Sequence, residues 1–283
     1  MRILVLGVAG MLGSTLFRVL SESSEHDVYG TLRHSDVVFN QYDKKLLKGI
    51  DVLDNHLVES VIKRLKPDVV INCVGVIKQL NFAEDPLVVI PINSLLPHRL
   101  YKICNSLDAR LIHISTDCVF SGSLGNYRES DNPDPLDLYG RSKLLGEVNK
   151  PNALTIRTSI IGHEMNTKLA LLEWFLSKDS DVKGYASAFF SGLTTLELSK
   201  LIMNKILLRP DISGLYHVAS HKISKYDLLK TVASVYGKNN NIIEDNSILI
   251  DRSLNAKAFN KIAGYSPPIW RELIEDMYEF NSK

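Results

Sequence analysis

Tyr139 and Lys143 stand four residues apart in Leu138-Tyr139-Gly140-Arg141-Ser142-Lys143, a spacing that puts a phenol and an ammonium on one face of a helix. A tyrosine in water gives up its proton at about pH 10, but a fixed positive charge within a few ångströms stabilises the phenolate. Such a pair can exchange a proton near neutrality. The stretch reads on through Leu144, Leu145, Gly146 and Glu147 as an amphipathic helix that begins near Asp137. Tyrosine and lysine recur at this spacing on many solvated helix faces, so the pair acquires meaning only from what the chain brings to it.

The first supply is at the N-terminus. Residues 3–6 are a buried strand by composition, residues 11–20 carry apolar side chains at helical spacing, and between them runs Gly7-Val8-Ala9-Gly10-Met11-Leu12-Gly13. In this strand-turn-helix setting Gly7 permits the tight turn, Gly10 lets the backbone approach a pyrophosphate, and Gly13 allows the helix to pack closely on the strand. Met11 and Leu12 begin the helix whose N-terminus faces the anion. The second strand, residues 27–31, ends in Gly30-Thr31-Leu32-Arg33-His34, with no acid to hold an adenosine 2′-hydroxyl. Arg33 can instead pair with a 2′-phosphate, which favours NADPH and leaves NADH open.

Further elements follow in alternation: a short strand over 49–54 ending near Asp51 and Val52, a helix over 55–65, and the apolar strand 69–75 ending in Cys73-Val74-Gly75. A helix starting at Asp85-Pro86 carries Asn93, and the strand 110–116 ends at Thr116. This order predicts an α/β fold, a doubly wound parallel sheet covered on both faces, with ligands at the carboxyl ends of the strands. Lys78, on the loop after the fourth strand, is a candidate for a phosphate or sugar hydroxyl. His113 alternates with apolar residues and reads as a satisfied core histidine.

With 283 residues, a mean hydropathy of zero and a net charge of +1, the chain reads as an ordinary globular protein. Scattered Lys and Arg give no footprint for nucleic acid, and no apolar run is long enough to span a membrane. The first residues are too short an apolar run for a leader and read as mature structure. Cys73, Cys104 and Cys118 are widely separated, show no metal-ligand spacing, and suit a reducing, cytoplasmic setting.

After the fifth strand comes Ser115-Thr116-Asp117-Cys118-Val119-Phe120-Ser121-Gly122. The glycine loop, S-T-D-x-V-F-x-G and Y-G-x-S-K together resemble the extended short-chain dehydrogenase/reductases, most closely the dTDP-4-dehydrorhamnose reductase branch. The similarity continues through Ile156-Arg157-Thr158-Ser159 and Gly214-Leu215-Tyr216-His217-Val218 and ends near Trp270-Arg271, so it covers nearly the whole chain. The resemblance implies NADPH-dependent reduction of a 4-keto group on a nucleotide-sugar. In it Thr116 bonds the substrate carbonyl, Tyr139 gives the proton, and Lys143 holds the nicotinamide ribose and lowers the Tyr139 pKa. Asn93 is the candidate to support Lys143 through water. Arg157, Thr158 and Ser159 would flank the nicotinamide and substrate pocket, with Lys78, Asp117 and Cys118 on the substrate side. Arg252 suits a diphosphate because its fork matches phosphate oxygens.

Cys118 departs from that branch, which has tyrosine there. GDP-fucose synthases carry a cysteine at this place and use it to epimerise beside the ketone, so Cys118 keeps an epimerase-reductase open, with His163 the nearest partner histidine. A 4,6-dehydratase is disfavoured, because Cys118 replaces its acid-base glutamate. Regulatory subunits of methionine adenosyltransferase resemble the same reductases and bind NADP while assisting another enzyme, which keeps a non-catalytic role open.

The pattern changes after residue 160. Residues 1–160 read as the cofactor domain, rejoined by 190–220, while 161–189 and 221–283 form a smaller substrate-binding lobe; Trp174, Phe189, Phe190 and Trp270 either line the crevice or belong to the core. The expected partners are the nucleotide-sugar and, in a homodimer, a second copy of the chain.

Overall fold

Strands of nearly continuous apolar sequence separated by amphipathic helices must be covered on both faces, and they are. The computed structural model describes residues 1–34, 44–80, 83–165 and 167–282. Its first six strands are β1 (Arg2–Leu6), β2 (Asp27–Leu32), β3 (Leu46–Lys48), β4 (Val69–Asn72), β5 (Arg110–Ile114) and β6 (Ala153–Arg157). Between them lie α1 (Met11–Glu22), α2 (Asn55–Leu65), α3 (Pro86–Val89), α4 (Leu96–Ser106) and α5 (Leu138–Leu145). α3 runs into α4 through one π-helical stretch, Ile90–Leu95.

The later elements are β7 (Ile160–Ile161), α6 (Leu171–Leu176), β8 (Val182–Tyr185), β9 (Ala188–Phe190), β10 (Leu193–Thr194), α7 (Thr195–Leu201) and β11 (Gly214–His217). They are followed by β12 (Ile223–Ser224), α8 (Lys225–Tyr236), β13 (Ile242–Asp245), β14 (Ile250–Asp251), α9 (Lys257–Ala263) and α10 (Trp270–Ser282).

One seven-stranded sheet, in the order β11-β6-β5-β4-β1-β2-β3, organises the chain. Every pairing in it is parallel, and the order reverses beside β1, so the doubly wound fold expected from the sequence is present. Alternation sends Ile3 and Val5 to one face, with Leu16 and Phe17 of α1, and Leu4 and Leu6 to the other, with Val58, Ile62 and Leu100. α7 packs against α1, β11 extends the sheet beyond β6, and β8 to β10 and β12 to β14 pair in small sheets of two or three strands.

The third strand lies earlier than the sequence predicts. Strand pairing ends at Lys48, and Gly49, with φ +73°, turns the chain. The acids of 49–54 serve the turn: Asp51 accepts the Leu53 N–H at 2.9 Å, and Asp54 caps α2 by accepting the Leu57 N–H at 3.0 Å. Asp51 and Val52 therefore lie on a loop.

Arg110 is buried without a carboxylate on its guanidinium. It donates to the carbonyls of Ile206 and Ile212, both at 2.7 Å, where the helix continuing α7 ends, and burial pushes its pKa down to about 10. Arg110→Met leaves both carbonyls without that donor. The expected loss is about 3 kcal/mol of unfolding free energy in urea titration, and a loss of less than half that would show that water replaces the guanidinium.

Among the described residues no helix is long and apolar enough to cross a membrane, and no group of acids, histidines and cysteines is arranged to hold a metal ion.

Candidate active site

The carboxyl ends of β1, β4 and β5 meet at the switch in strand order, and each delivers one part of the site. After β1, Gly7 has φ +84°, and a Cβ there would stand 2.8 Å from Val74 Cγ2. A Cβ on Gly13 would stand 2.2 Å from the Gly7 carbonyl oxygen. Gly10 is exposed, occupies the cap position of α1, and leaves the helix without a side-chain cap. The N–H groups of the first turn, at Met11, Leu12 and Gly13, are thus left for an anion, which fits a dinucleotide's pyrophosphate. Arg33 is exposed at the end of β2, with its Nε donating to His34 Nε2 at 3.0 Å; residues 35–43 lie outside the described residues.

After β4 the chain passes through Cys73, Val74 and Gly75 toward Lys78. Asn72 Oδ1 holds the turn by accepting the Val74 N–H at 3.1 Å. A Cβ on exposed Gly75 would lie 3.5 Å from Asn93 Oδ1 and 3.9 Å from Lys143 Nζ, so glycine keeps open the space in front of both. Asn93 sits in the π-helical stretch, buried, and grips Val76 twice: Oδ1 accepts its N–H at 2.9 Å and Nδ2 donates to its carbonyl at 3.1 Å. Nδ2 also donates to Ser142 Oγ at 3.1 Å, joining this loop to α5. Its direct partners are therefore a strand-end loop and α5.

α5 begins where the sequence places it. Asp137 caps it by accepting the Gly140 N–H at 2.7 Å and pairs with Lys78 at 2.6 Å, and Lys78 Nζ is 5.5 Å from the centre of the Tyr139 ring. Lys143, buried, donates to the Ile114 carbonyl at 2.6 Å. Burial pushes its pKa down to about 8, against the field of Glu147. Thr116, buried at the end of β5, accepts the Cys118 N–H at 3.1 Å and donates to Asp117 Oδ1 at 3.2 Å, and its hydroxyl lies beside the Tyr139 phenol. Thr116 and Tyr139 thus lie together, and Lys143 follows Tyr139 by one turn of α5.

Burial, with Cys118 and Asp117 nearby, pushes the Tyr139 phenol up, and the Thr116 hydroxyl opposes this. That direction is opposite to the lowering expected from Lys143, and it keeps the resting phenol protonated. Cys118 is likewise pushed up, to about 11, by burial and then by Asp117. Asp117 is buried and pushed up, with Arg252, Cys118 and Thr116 opposing. Arg252 donates through Nε to the Phe120 carbonyl at 2.9 Å, on the Asp117 side of the site.

Arg157 is placed otherwise than expected. It is buried and turned inward, donating to Glu147 at 2.8 and 2.7 Å, with Nη1 3.3 Å from His217 Nε2 and the guanidinium over the Phe120 ring. Its nitrogens are engaged in the interior, so it does not line a substrate pocket. Ser159 is half-buried and accepts the Leu193 N–H through its carbonyl. His163 has both ring nitrogens engaged, Nδ1 with Glu173 at 2.5 Å and Nε2 with the Tyr236 hydroxyl at 2.8 Å. His113 is only half satisfied: Asn72 meets Nδ1 at 3.1 Å, while buried Nε2 has no partner among the described residues.

Sequence reasoning missed Ser142, Glu147 and Gly146. A Cβ on Gly146 would stand 1.9 Å from the Asn93 carbonyl oxygen, which is how α5 approaches the π-helical stretch. It also missed Lys225, which with Trp174 and Tyr185 lines a cavity of about 620 Å³ and faces Asp117 and Cys118. Phe190 and Trp270, by contrast, are buried against each other at 5.2 Å.

A parallel sheet with a glycine loop at its switch point and a Tyr-Lys pair beside it defines a dinucleotide-binding α/β protein of the reductase and epimerase kind. The chain belongs to the RmlD substrate binding domain family, whose profile matches residues 1–280. It is 30% identical over 260 residues to a probable low-salt glycan biosynthesis reductase of Haloferax volcanii, covering 87% of this chain and 84% of that protein. It is 25% identical over 248 residues to the methionine adenosyltransferase 2 subunit beta of Bos taurus, covering 83% and 72% of the two. A crystal structure of a hypothetical dTDP-4-dehydrorhamnose reductase from Sulfolobus tokodaii superposes with a TM-score of 0.80 at 26% identity, over 95% of this chain and 98% of that one. The dTDP-4-dehydrorhamnose reductase of Bacillus anthracis, solved in complex with NADP, shares the fold with a TM-score of 0.81 at 24% identity, over 99% of each chain.

Proposed function

We propose that the protein reduces a 4-keto group on a nucleotide-activated sugar with NADPH, NADH being the alternative donor. The reading is supported by the Thr116 hydroxyl beside the Tyr139 phenol, with Lys143 one turn further along the same helix, next to a loop shaped for a pyrophosphate. The relatives named as reductases support it.

Gly7, Gly10, Met11, Leu12 and Gly13 would hold the pyrophosphate, Arg33 the 2′-phosphate, and Lys143 with the loop 73–75 the nicotinamide end. The bound cofactor supplies the hydride. As negative charge grows on the substrate oxygen, two hydroxyl donors stabilise the transition state more than the ketone. Thr116 holds its hydrogen bond, and Tyr139 gives up its proton. Because burial keeps that phenol protonated at rest, it is in the donor state when substrate arrives; the Lys143 ammonium then stabilises the phenolate left behind. Arg252 and Lys225, on the Asp117 side, would take the diphosphate, and the cavity lined by Trp174 and Tyr185 would take the base.

Plain reduction is favoured over epimerisation with reduction. Cys118 is held as the thiol rather than the thiolate, and His163 is committed to Glu173 and Tyr236. NADPH oxidation with a panel of 4-keto nucleotide-sugars tests the proposal. Turnover with at least one, and no solvent deuterium at the carbons beside the ketone, is the expected result. Deuterium there would make Cys118 an epimerisation base, and binding of NADPH without turnover on any of the panel would favour a regulatory subunit.

A further inference from the structure

We propose that Glu147 is a positioning residue for Lys143: held by Arg157 and Ser115, its carboxylate keeps the lysine charged and seated on the Ile114 carbonyl. This rests on the reductase reading only for its consequence in turnover.

The geometry runs through two adjacent residues at the end of β5. Lys143 Nζ donates to the Ile114 carbonyl at 2.6 Å, and the next residue, Ser115, donates through Oγ to Glu147 Oε1 at 2.7 Å. Glu147 lies just past the C-terminal end of α5, so it and Lys143 reach two consecutive residues at the end of β5. Arg157 grips both carboxylate oxygens, and the two side chains of this pair are only 5% and 7% exposed. A buried ion pair costs solvation on both partners and is weak evidence for stability by itself, which leaves its placement to be explained.

The titratable groups facing Lys143 among the described residues are Cys73 at the end of β4, His113 on β5 and Glu147 beyond α5, with the Tyr139 phenol, protonated at rest, one turn earlier on α5. Burial pushes Cys73 up to about 12 and His113 well below its usual range, so both are neutral near pH 7. Glu147, paired with Arg157, is the one that carries a charge. Its field raises the Lys143 pKa against the burial that lowers it to about 8. The ammonium is the active form, so activity is present below that pKa and is lost as pH rises through it. Removing the carboxylate charge lowers the pKa and brings that loss to lower pH.

The test follows Lys143 directly, without cofactor or substrate. Protein labelled with 13C and 15N at lysine Cε and Nζ is titrated by NMR, the signal being assigned with Lys143→Arg. Glu147→Gln is expected to move its midpoint down by about one pH unit, and the alkaline limb of kcat/KM with it. Arg157→Gln, which leaves the carboxylate and removes a positive charge, is expected to move the midpoint up, and it serves as the test should Glu147→Gln not fold. Opposite shifts cannot come from general loosening. Unmoved midpoints in the folded variants, with activity reduced equally at every pH, would overturn the proposal. Shifted midpoints in a protein that turns over none of the nucleotide-sugars would keep Glu147 in this role and remove the reductase reading instead.

Discussion

Tyr139→Phe is expected to lower turnover by at least ~10²-fold while NADPH affinity stays within a few-fold, the scale set by loss of a general acid. The substitution deletes one hydroxyl and keeps the ring that packs beneath Lys78. Lys143 keeps its bond to the Ile114 carbonyl, and the glycine loop is untouched, so the groups assigned to the cofactor remain. Thr116 alone then faces the developing charge, and the proton must come from water. Steady-state kinetics beside a fluorescence titration of NADPH separates the two quantities. Turnover near that of the unaltered protein would mean that another group donates the proton.

Gly13→Ala is expected to damage the fold and the cofactor site together. The new Cβ would fall 2.2 Å from the Gly7 carbonyl oxygen and 3.1 Å from Val8 Cα. Both are backbone atoms at the end of β1, so no side chain can swing away. Helix and strand must separate, which costs about 3 kcal/mol, the upper part of the range for overpacked sites. The same movement carries the first turn of α1 away from Gly7, and NADPH affinity should fall by at least ~10-fold, equivalent to about 1.4 kcal/mol. Urea unfolding and the NADPH titration read the two effects. An alanine variant with ordinary stability and affinity would show that the strand-helix contact yields cheaply.

The parts of the site legible in the sequence are those fixed by local spacing. Gly7, Gly10 and Gly13 follow a strand and open a helix, Asp137 caps the helix that carries Tyr139 and Lys143, and Thr116 ends an apolar strand. Each signal lies within a dozen residues. Arg157 and Glu147 were not legible, because a buried pair made between a strand end and the turn after a helix leaves no periodic trace. An arginine at a strand end also looks the same whether it faces ligand or interior. β3 was displaced for a related reason: it is a three-residue edge strand, and the stretch after it carries the more conspicuous hydrophobic residues. The direction of the Tyr139 shift needed the burial of its ring, which spacing cannot supply.

Pro91 and Pro97 bracket the wide turn in the sequence. Neither can donate a backbone hydrogen bond inside a helix, and the chain between them winds wide, with the Leu96 N–H reaching back to the Pro91 carbonyl. A wide turn of this kind holds one residue more than a regular one, and each residue of an α-helix advances about 100° around the axis. The angular phase of Asn93 relative to both flanking segments is therefore set by an added residue. Deleting a single position between 90 and 95 would restore even winding at the cost of rotating either Asn93 away from Val76 and Ser142 or the preceding turn away from its seat. A change of length in the loops around this helix leaves that phase intact, whereas a change of residue count across this stretch does not.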